Sequence, residues 1–106
     1  MNDKELLELA AKSAGLRVVS YDDFLGCMRI ASDGSVTGYG WNPLTDDGDA
    51  LRLAVKLKLS VSIFDDAIGV GRRSSSYGEL EIQGDPYAAT RRAIVRAAAA
   101  IGEQMK

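Results

Sequence analysis

The sequence predicts an α+β domain: an antiparallel or mixed five-stranded sheet with three helices packed on it, an α/β sandwich in the order α-β-β-β-α-β-β-α. Three observations carry that expectation. The first is a pair of helix starts, Thr45 followed by Asp46, Asp47 and Asp49, and Gly84-Asp85-Pro86, each ahead of an apolar repeat at helical spacing. The second is period-two alternation in Leu59 to Phe64 and again in Tyr77 to Gln83, the mark of strands with one wet face. The third is Asp33-Gly34 between two strand-like runs, a hairpin signal that makes the neighbouring strands antiparallel. With 106 residues, 46% apolar and 26% charged, the chain has room for one core, so residues 1–106 are expected to form a single domain.

Taken in order, Asn2 stands three residues ahead of Glu5 in capping-box spacing. Leu6, Leu7, Leu9 and Ala10 then follow at helical intervals until Gly15 ends the helix. Leu16 to Ser20 reads as a strand, Tyr21-Asp22-Asp23 as a turn and Leu25 to Ala31 as the next strand, which Asp33-Gly34 folds back onto Val36 to Tyr39. Asn42-Pro43 keeps the chain extended and turns it, because the residue before proline is barred from the helical region. Thr45 should cap a second helix of about three turns, with the aspartates on the positive end of its dipole. That helix turns Ala50, Leu51, Ala54, Val55 and Leu57 to the core and leaves Arg52, Lys56 and Lys58 wet. After the strand at Leu59 to Phe64, Asp65-Asp66 makes a turn and Ala67 to Arg72 another strand; Ser74, Ser75 and Ser76 form a polar loop before Tyr77 to Gln83. The last helix starts at Pro86 behind an Asp85 cap and runs to about Ala100, with Gly102 opening a frayed end. Its alanines 97–100 are small enough to lie close against a sheet.

Composition excludes several function classes. No apolar run approaches the ~20 residues that cross a bilayer, and Met1 to Glu8 lacks the plan of a signal peptide, so a cytoplasmic protein without membrane contact is expected. Cys27 is the only cysteine and histidine is absent, which rules out an internal disulfide and leaves no ligand set for zinc. The net charge of −2 argues against general nucleic-acid binding, but the sum hides an asymmetry. Residues 1–53 carry five basic against nine acidic side chains, and residues 54–106 carry eight against six. A local anion site on an acidic body fits that distribution.

Trp41, Pro43, Thr45 and Asp46, taken with Gly84, Asp85, Pro86, Ala88, Arg91 and Arg92, resemble the motifs of a group of small bacteriophage proteins, the phage ABA-sandwich and NinX-like proteins. These show an aromatic segment ending in proline and a Thr-Asp pair before a helix, then a Gly-Asp-Pro-like turn into an Ala- and Arg-rich terminal helix. The resemblance implies a phage-encoded accessory protein with an α/β sandwich, acting in the infected bacterial cytoplasm. It implies no settled activity and no catalytic residues.

Candidate chemistry has to be weighed against ordinary structure. Asp46, Asp47 and Asp49 offer hard oxygens to magnesium, but a helix dipole explains first-turn aspartates without a metal. Gly69-Val70-Gly71 lacks the third glycine and following helix of a dinucleotide loop. Ser74, Ser75 and Ser76 have no histidine to activate them. Neither a metal nor a cofactor nor a catalytic residue is therefore assigned. The arginines are the better candidates. Arg72 and Arg73 beside Ser74 and Ser75, and Arg91 and Arg92 in the last helix, present fork-shaped donors suited to a phosphate. Tyr39, Trp41, Tyr77 and Tyr87 supply faces on which a base stacks. The plainer account makes the arginines a solvated face paired to Glu79, Glu81 and Asp85, with Trp41 in the core.

The expectation is thus a non-enzymatic protein that sequesters a small anionic ligand of nucleotide type, such as a cyclic nucleotide used in host defence. A site shared between copies in a homo-oligomer is expected for so small a chain. The alternatives are a protein-interaction module that inhibits a host factor, signalled by an exposed apolar patch, and a metal-dependent nucleotide hydrolase, signalled by converging carboxylates.

Overall fold

In the computed structural model, which describes residues 1–31, 39–72 and 75–105, the elements run α1 (Asp3–Ser13), β1 (Arg17–Asp22), β2 (Cys27–Ala31), β3 (Tyr39–Trp41), α2 (Asp47–Leu57), β4 (Ser60–Ile63), β5 (Ala67–Arg72), β6 (Ser75–Glu81) and α3 (Pro86–Gln104). The class is α+β with three helices and antiparallel pairing throughout the described strands. The single five-stranded sheet is corrected: among the described residues six strands form two three-stranded sheets, β1-β2-β3 and β4-β5-β6. Every strand-like segment after α2 pairs, giving three strands in the second half where the expected order allowed two. Residues 23–26 join β1 to β2 and residues 64–66 join β4 to β5, while α2 stands between β3 and β4. Local alternation fixes hairpin pairing but says nothing about whether the edges of two meanders meet. The Asp33-Gly34 turn and most of Val36 to Tyr39 lie outside the described residues.

Helix ends follow the side-chain chemistry, with one shift. Asn2 accepts from the Glu5 N–H at 2.8 Å and Asp85 from the Tyr87 N–H at 2.9 Å. At α2 the cap is Asp46, not Thr45; its carboxylate accepts from the Asp49 N–H at 2.8 Å. Thr45 is displaced because the Asn42 carbonyl already accepts from the N–H groups of Thr45 and Asp46, so the chain is still turning at that residue. α2 ends on Lys58 in the left-handed region, φ 56°, a stop that no glycine announces.

The buried stripe of α2 is Ala50, Leu53, Ala54 and Leu57. Leu51 and Val55, expected in the core, stand 65% and 67% exposed. One face of a helix is covered by its neighbours, and the 51/55 row lies at the edge of that stripe. Ile63, at the end of β4, is likewise 66% exposed rather than half-buried.

α3 is the shared wall of the molecule. It continues past Ala100 to Gln104, and Gly102 is buried instead of frayed, because a Cβ there would fall on the Leu9 carbonyl where α1 crosses. Its Ile94, Val95, Ala98, Ala99 and Ile101 join a main core with Leu7 and Ala10 of α1, Met28, Ile30 and Trp41 of the first sheet, and Leu53 and Leu57 of α2. Ala93 and Ala97 close a second cluster over Ile68 and Val70 of β5. Leu59, Val61 and Tyr77 fringe both clusters. Among the described residues no helix is long and apolar enough to cross a membrane.

Candidate functional site

The corner between β3 and α2 is fixed by Asn42. Its main-chain N–H donates to Asp49 Oδ2 at 3.0 Å, its Nδ2 donates to the Gly26 carbonyl at 2.8 Å, and its Oδ1 accepts from the Leu44 N–H at 3.0 Å. Asp49 is buried and also accepts from Arg52 at 2.8 Å, so both of its oxygens are used. These bonds press Trp41 into the core, where 4% of its surface remains exposed. A cavity of about 610 Å³ opens beside it. Leu16, Trp41 and Leu53 give it apolar walls, and Asp46, Asp49, Arg52 and Lys56 of the α2 side give it a charged rim.

The arginines expected to gather do not share one seat. Arg91, half-buried on α3, donates from Nε to the Leu44 carbonyl at 2.9 Å and from a terminal nitrogen to Asp47 at 2.6 Å. Its neighbour Arg92 points elsewhere, to Asp3 of α1 at 3.2 Å. Consecutive positions on a helix diverge by about 100°, which is why. Arg72 is exposed at the end of β5 that pairs with Ser75, whereas the Ala67–Glu81 end leads to α3; about 17 Å of strand lies between the two ends. Arg73 and Ser74 lie outside the described residues, as do the side chains of Tyr39 and Ser75. Tyr77 is half-buried against both clusters, and Tyr87 is 70% exposed on α3. The plainer account of Trp41 as a core residue fits the coordinates, although the partners of Arg91 and Arg92 are Asp47 and Asp3, not the carboxylates near them in sequence.

Tyr87 and Arg91 belong to a different feature, a groove of about 410 Å³ between α2 and α3. Asp47, Ala50 and Leu51 form one wall; Pro86, Tyr87, Thr90, Arg91 and Ile94 form the other; Ile63 closes it from β4. Apart from the Asp47–Arg91 pair and the hydroxyls of Tyr87 and Thr90 the lining side chains are apolar. Sequence reasoning missed this groove because it turned Leu51 and Val55 to the core and read Ile63 as part of a half-buried strand. The available signal was surplus: α2 carries two adjacent apolar rows, 50/54/57 and 51/55, where one suffices to seat a helix on a core.

The tip between β1 and β2 is a second apolar exposure, with Phe24 95% exposed. It is held in shape by the Asp22 carboxylate, which accepts from the N–H groups of Phe24 at 3.0 Å and Leu25 at 2.9 Å and pairs with Arg29 at 3.4 Å. These contacts hold the Asp22 carboxyl below the usual aspartate value. The Leu25 N–H is the main cause; Arg29 and the Phe24 N–H add to it, and desolvation works against it.

Among the described residues no group of three or more Asp, Glu, Cys or His side chains is arranged to hold a metal ion. Compared with models of known protein families, with curated proteins and with solved structures, the chain matches none.

Proposed function

We propose that the chain is a non-enzymatic protein-interaction module whose α2/α3 groove receives an apolar segment of another protein. The observation that carries this reading is the groove itself: Leu51, Ile63 and Tyr87 are each at least 65% exposed around one concavity, and Val55 extends the row along α2. Single apolar side chains on a surface are ordinary, whereas several around one concave site mark an interaction surface. Covering each such side chain is worth roughly 1.5 to 3 kcal/mol before the entropic cost of association. The resemblance to phage accessory proteins at Trp41 to Leu53 and Gly84 to Arg96 makes a factor of the infected bacterial cell the expected partner, and its inhibition the expected outcome. Selecting peptides from a random library on the immobilised protein tests the reading. Enriched peptides should lose binding to a variant carrying Leu51→Ala and Tyr87→Ala; peptides indifferent to both changes would remove the groove from consideration.

A second reading, sequestration of a small anionic nucleotide-type ligand, is favoured by the Trp41 cavity. Arg52 and Lys56 lie one helical turn apart on its rim, and like charges at that spacing repel until an anion bridges them. Opposed to it, Asp46 and Asp49 share the rim and Asp49 occupies Arg52. A panel of cyclic nucleotides at saturating concentration should raise the melting temperature of the native protein and not of Lys56→Ala. A panel without any shift would leave the interaction reading alone.

A further inference from the structure

We infer that the segment seated in the α2/α3 groove is an amphipathic helix flanked by lysine or arginine, a refinement that rests on the interaction-module reading. The shape of the groove supplies the first argument. Tyr87, Thr90, Arg91 and Ile94 follow one another at i, i+3, i+4 and i+7, a ridge about 10 Å long that faces Ala50 and Leu51 across the gap. Two helical walls beside one apolar concavity suit a third helix that lays one apolar row, two turns long, between them.

The polar groups of the groove supply the second argument, since apart from the Tyr87 hydroxyl they are already engaged. The Thr90 hydroxyl donates to the Pro86 carbonyl at 2.8 Å, and Arg91 is bonded to the Leu44 carbonyl and to Asp47. An extended segment would bring backbone N–H and C=O groups into a site that offers them little, whereas a helix arrives with its own backbone bonds made.

Charge supplies the third. Asp65 and Asp66, both exposed, follow Ile63 of the groove by two and three residues, whereas Asp47 in the lining is paired to Arg91. Arg91, the cation in the groove lining, is bonded to Asp47, so the pair leaves no net charge there, and Arg52 turns to Asp49 on the Trp41 side of α2. An apolar floor with Asp65 and Asp66 beside its β4 end favours a helix whose flanks are basic, and the same charges repel an acidic one.

Four synthetic peptides of about four turns test this by titration calorimetry against the full chain: a leucine/lysine amphipathic helix, the same pattern with glutamine for lysine, the same with glutamate, and the lysine peptide with a central proline. The lysine peptide should bind, weaken several-fold as salt is raised, and weaken at least about tenfold on Leu51→Ala with Tyr87→Ala. Its glutamate and proline counterparts should bind at least about tenfold more weakly. Asp65→Asn with Asp66→Asn, which leaves the apolar lining intact, should weaken the lysine peptide and spare the glutamine one. Equal affinity for the lysine and glutamine peptides would overturn the charge assignment, and equal affinity for the proline peptide would overturn the helix; in both cases a groove-dependent interaction survives. Binding that ignores Leu51→Ala and Tyr87→Ala, or no binding by any peptide, would overturn the interaction reading as well.

Discussion

Asn42 and Asp49 show how much of this structure rests on two side chains at one corner. Asp49 receives the Asn42 N–H and the Arg52 guanidinium in a buried position, while Asn42 reaches back to the Gly26 carbonyl and so ties the β1–β2 tip to the start of α2. Replacing Asp49 by alanine leaves the Asn42 N–H without its acceptor. We expect a loss of about 1 to 3 kcal/mol in urea denaturation, with red-shifted Trp41 emission in the native state as the corner loosens. Arg91→Ala should cost roughly 2 kcal/mol for a similar reason, because its two bonds hold α3 to the Leu44–Asp47 segment and its own side chain is largely covered. Asp22 makes a prediction in pH. Its folded-state pKa lies below the unfolded one, so the unfolded chain binds the proton first on acidification and stability rises with pH across that interval. The contribution is complete above the unfolded value of about 3.9 and is lost as pH falls through the folded value. Asp22→Asn should therefore be less stable than the native protein at neutral pH, and the urea midpoints of the two should draw together as acidification protonates the folded-state carboxyl. A gap between the midpoints that does not narrow as the pH falls would sink this account of the tip.

Among the elements, α2 and α3 mark the limit of what the sequence made legible. The starts of all three helices were readable to within a residue or two, since capping is local chemistry between neighbours. So was the turn at Asn42-Pro43, which follows from the restriction that proline places on the residue before it. The buried face of α2 was not, because Leu51 and Val55 are as apolar as Leu53 and Leu57, and the hydrophobic pattern cannot say which of two adjacent rows will be covered. The arginines failed as a site for a related reason: attraction to distant carboxylates at Asp3 and Asp47 decides where they point, and sequence proximity does not. Gly102 carries the clearest element-scale test. At an exposed helical position, glycine to alanine stabilises by up to about 1 kcal/mol. Here the new Cβ meets the Leu9 backbone, and forcing α1 and α3 apart costs about 1 to 3 kcal/mol, so the clash wins. Gly102→Ala should lower the melting temperature; a rise would mean that the two helices can separate freely.

At the scale of the whole molecule, two separate meanders raise the question of whether they unfold together. Among the described residues no strand pairing joins them, so coupling runs through side chains, those packed on α3 and also Leu59, Val61 and Tyr77, which fringe both clusters. Ala93 and Ala97 sit over Ile68 and Val70, while Ile94, Val95 and Ala98, on the same helix, belong to the core that contains Trp41. A helix of 19 residues cannot keep one face folded and lose the other, because both faces share every backbone hydrogen bond. Ile68, fully buried in the second cluster and remote in sequence from Trp41, is the residue with which to test this. Ile68→Ala should cost about 2 to 5 kcal/mol and lower the melting temperature by roughly 10 °C or more for a domain of this size. The chain has one tryptophan, and it reports only on the first cluster. If α3 couples the halves, the Trp41 fluorescence transition and the far-ultraviolet helical signal should fall to the same lower midpoint. A Trp41 transition left at its original temperature while part of the circular dichroism melts early would show that each sheet unfolds on its own, with α3 no longer the common wall.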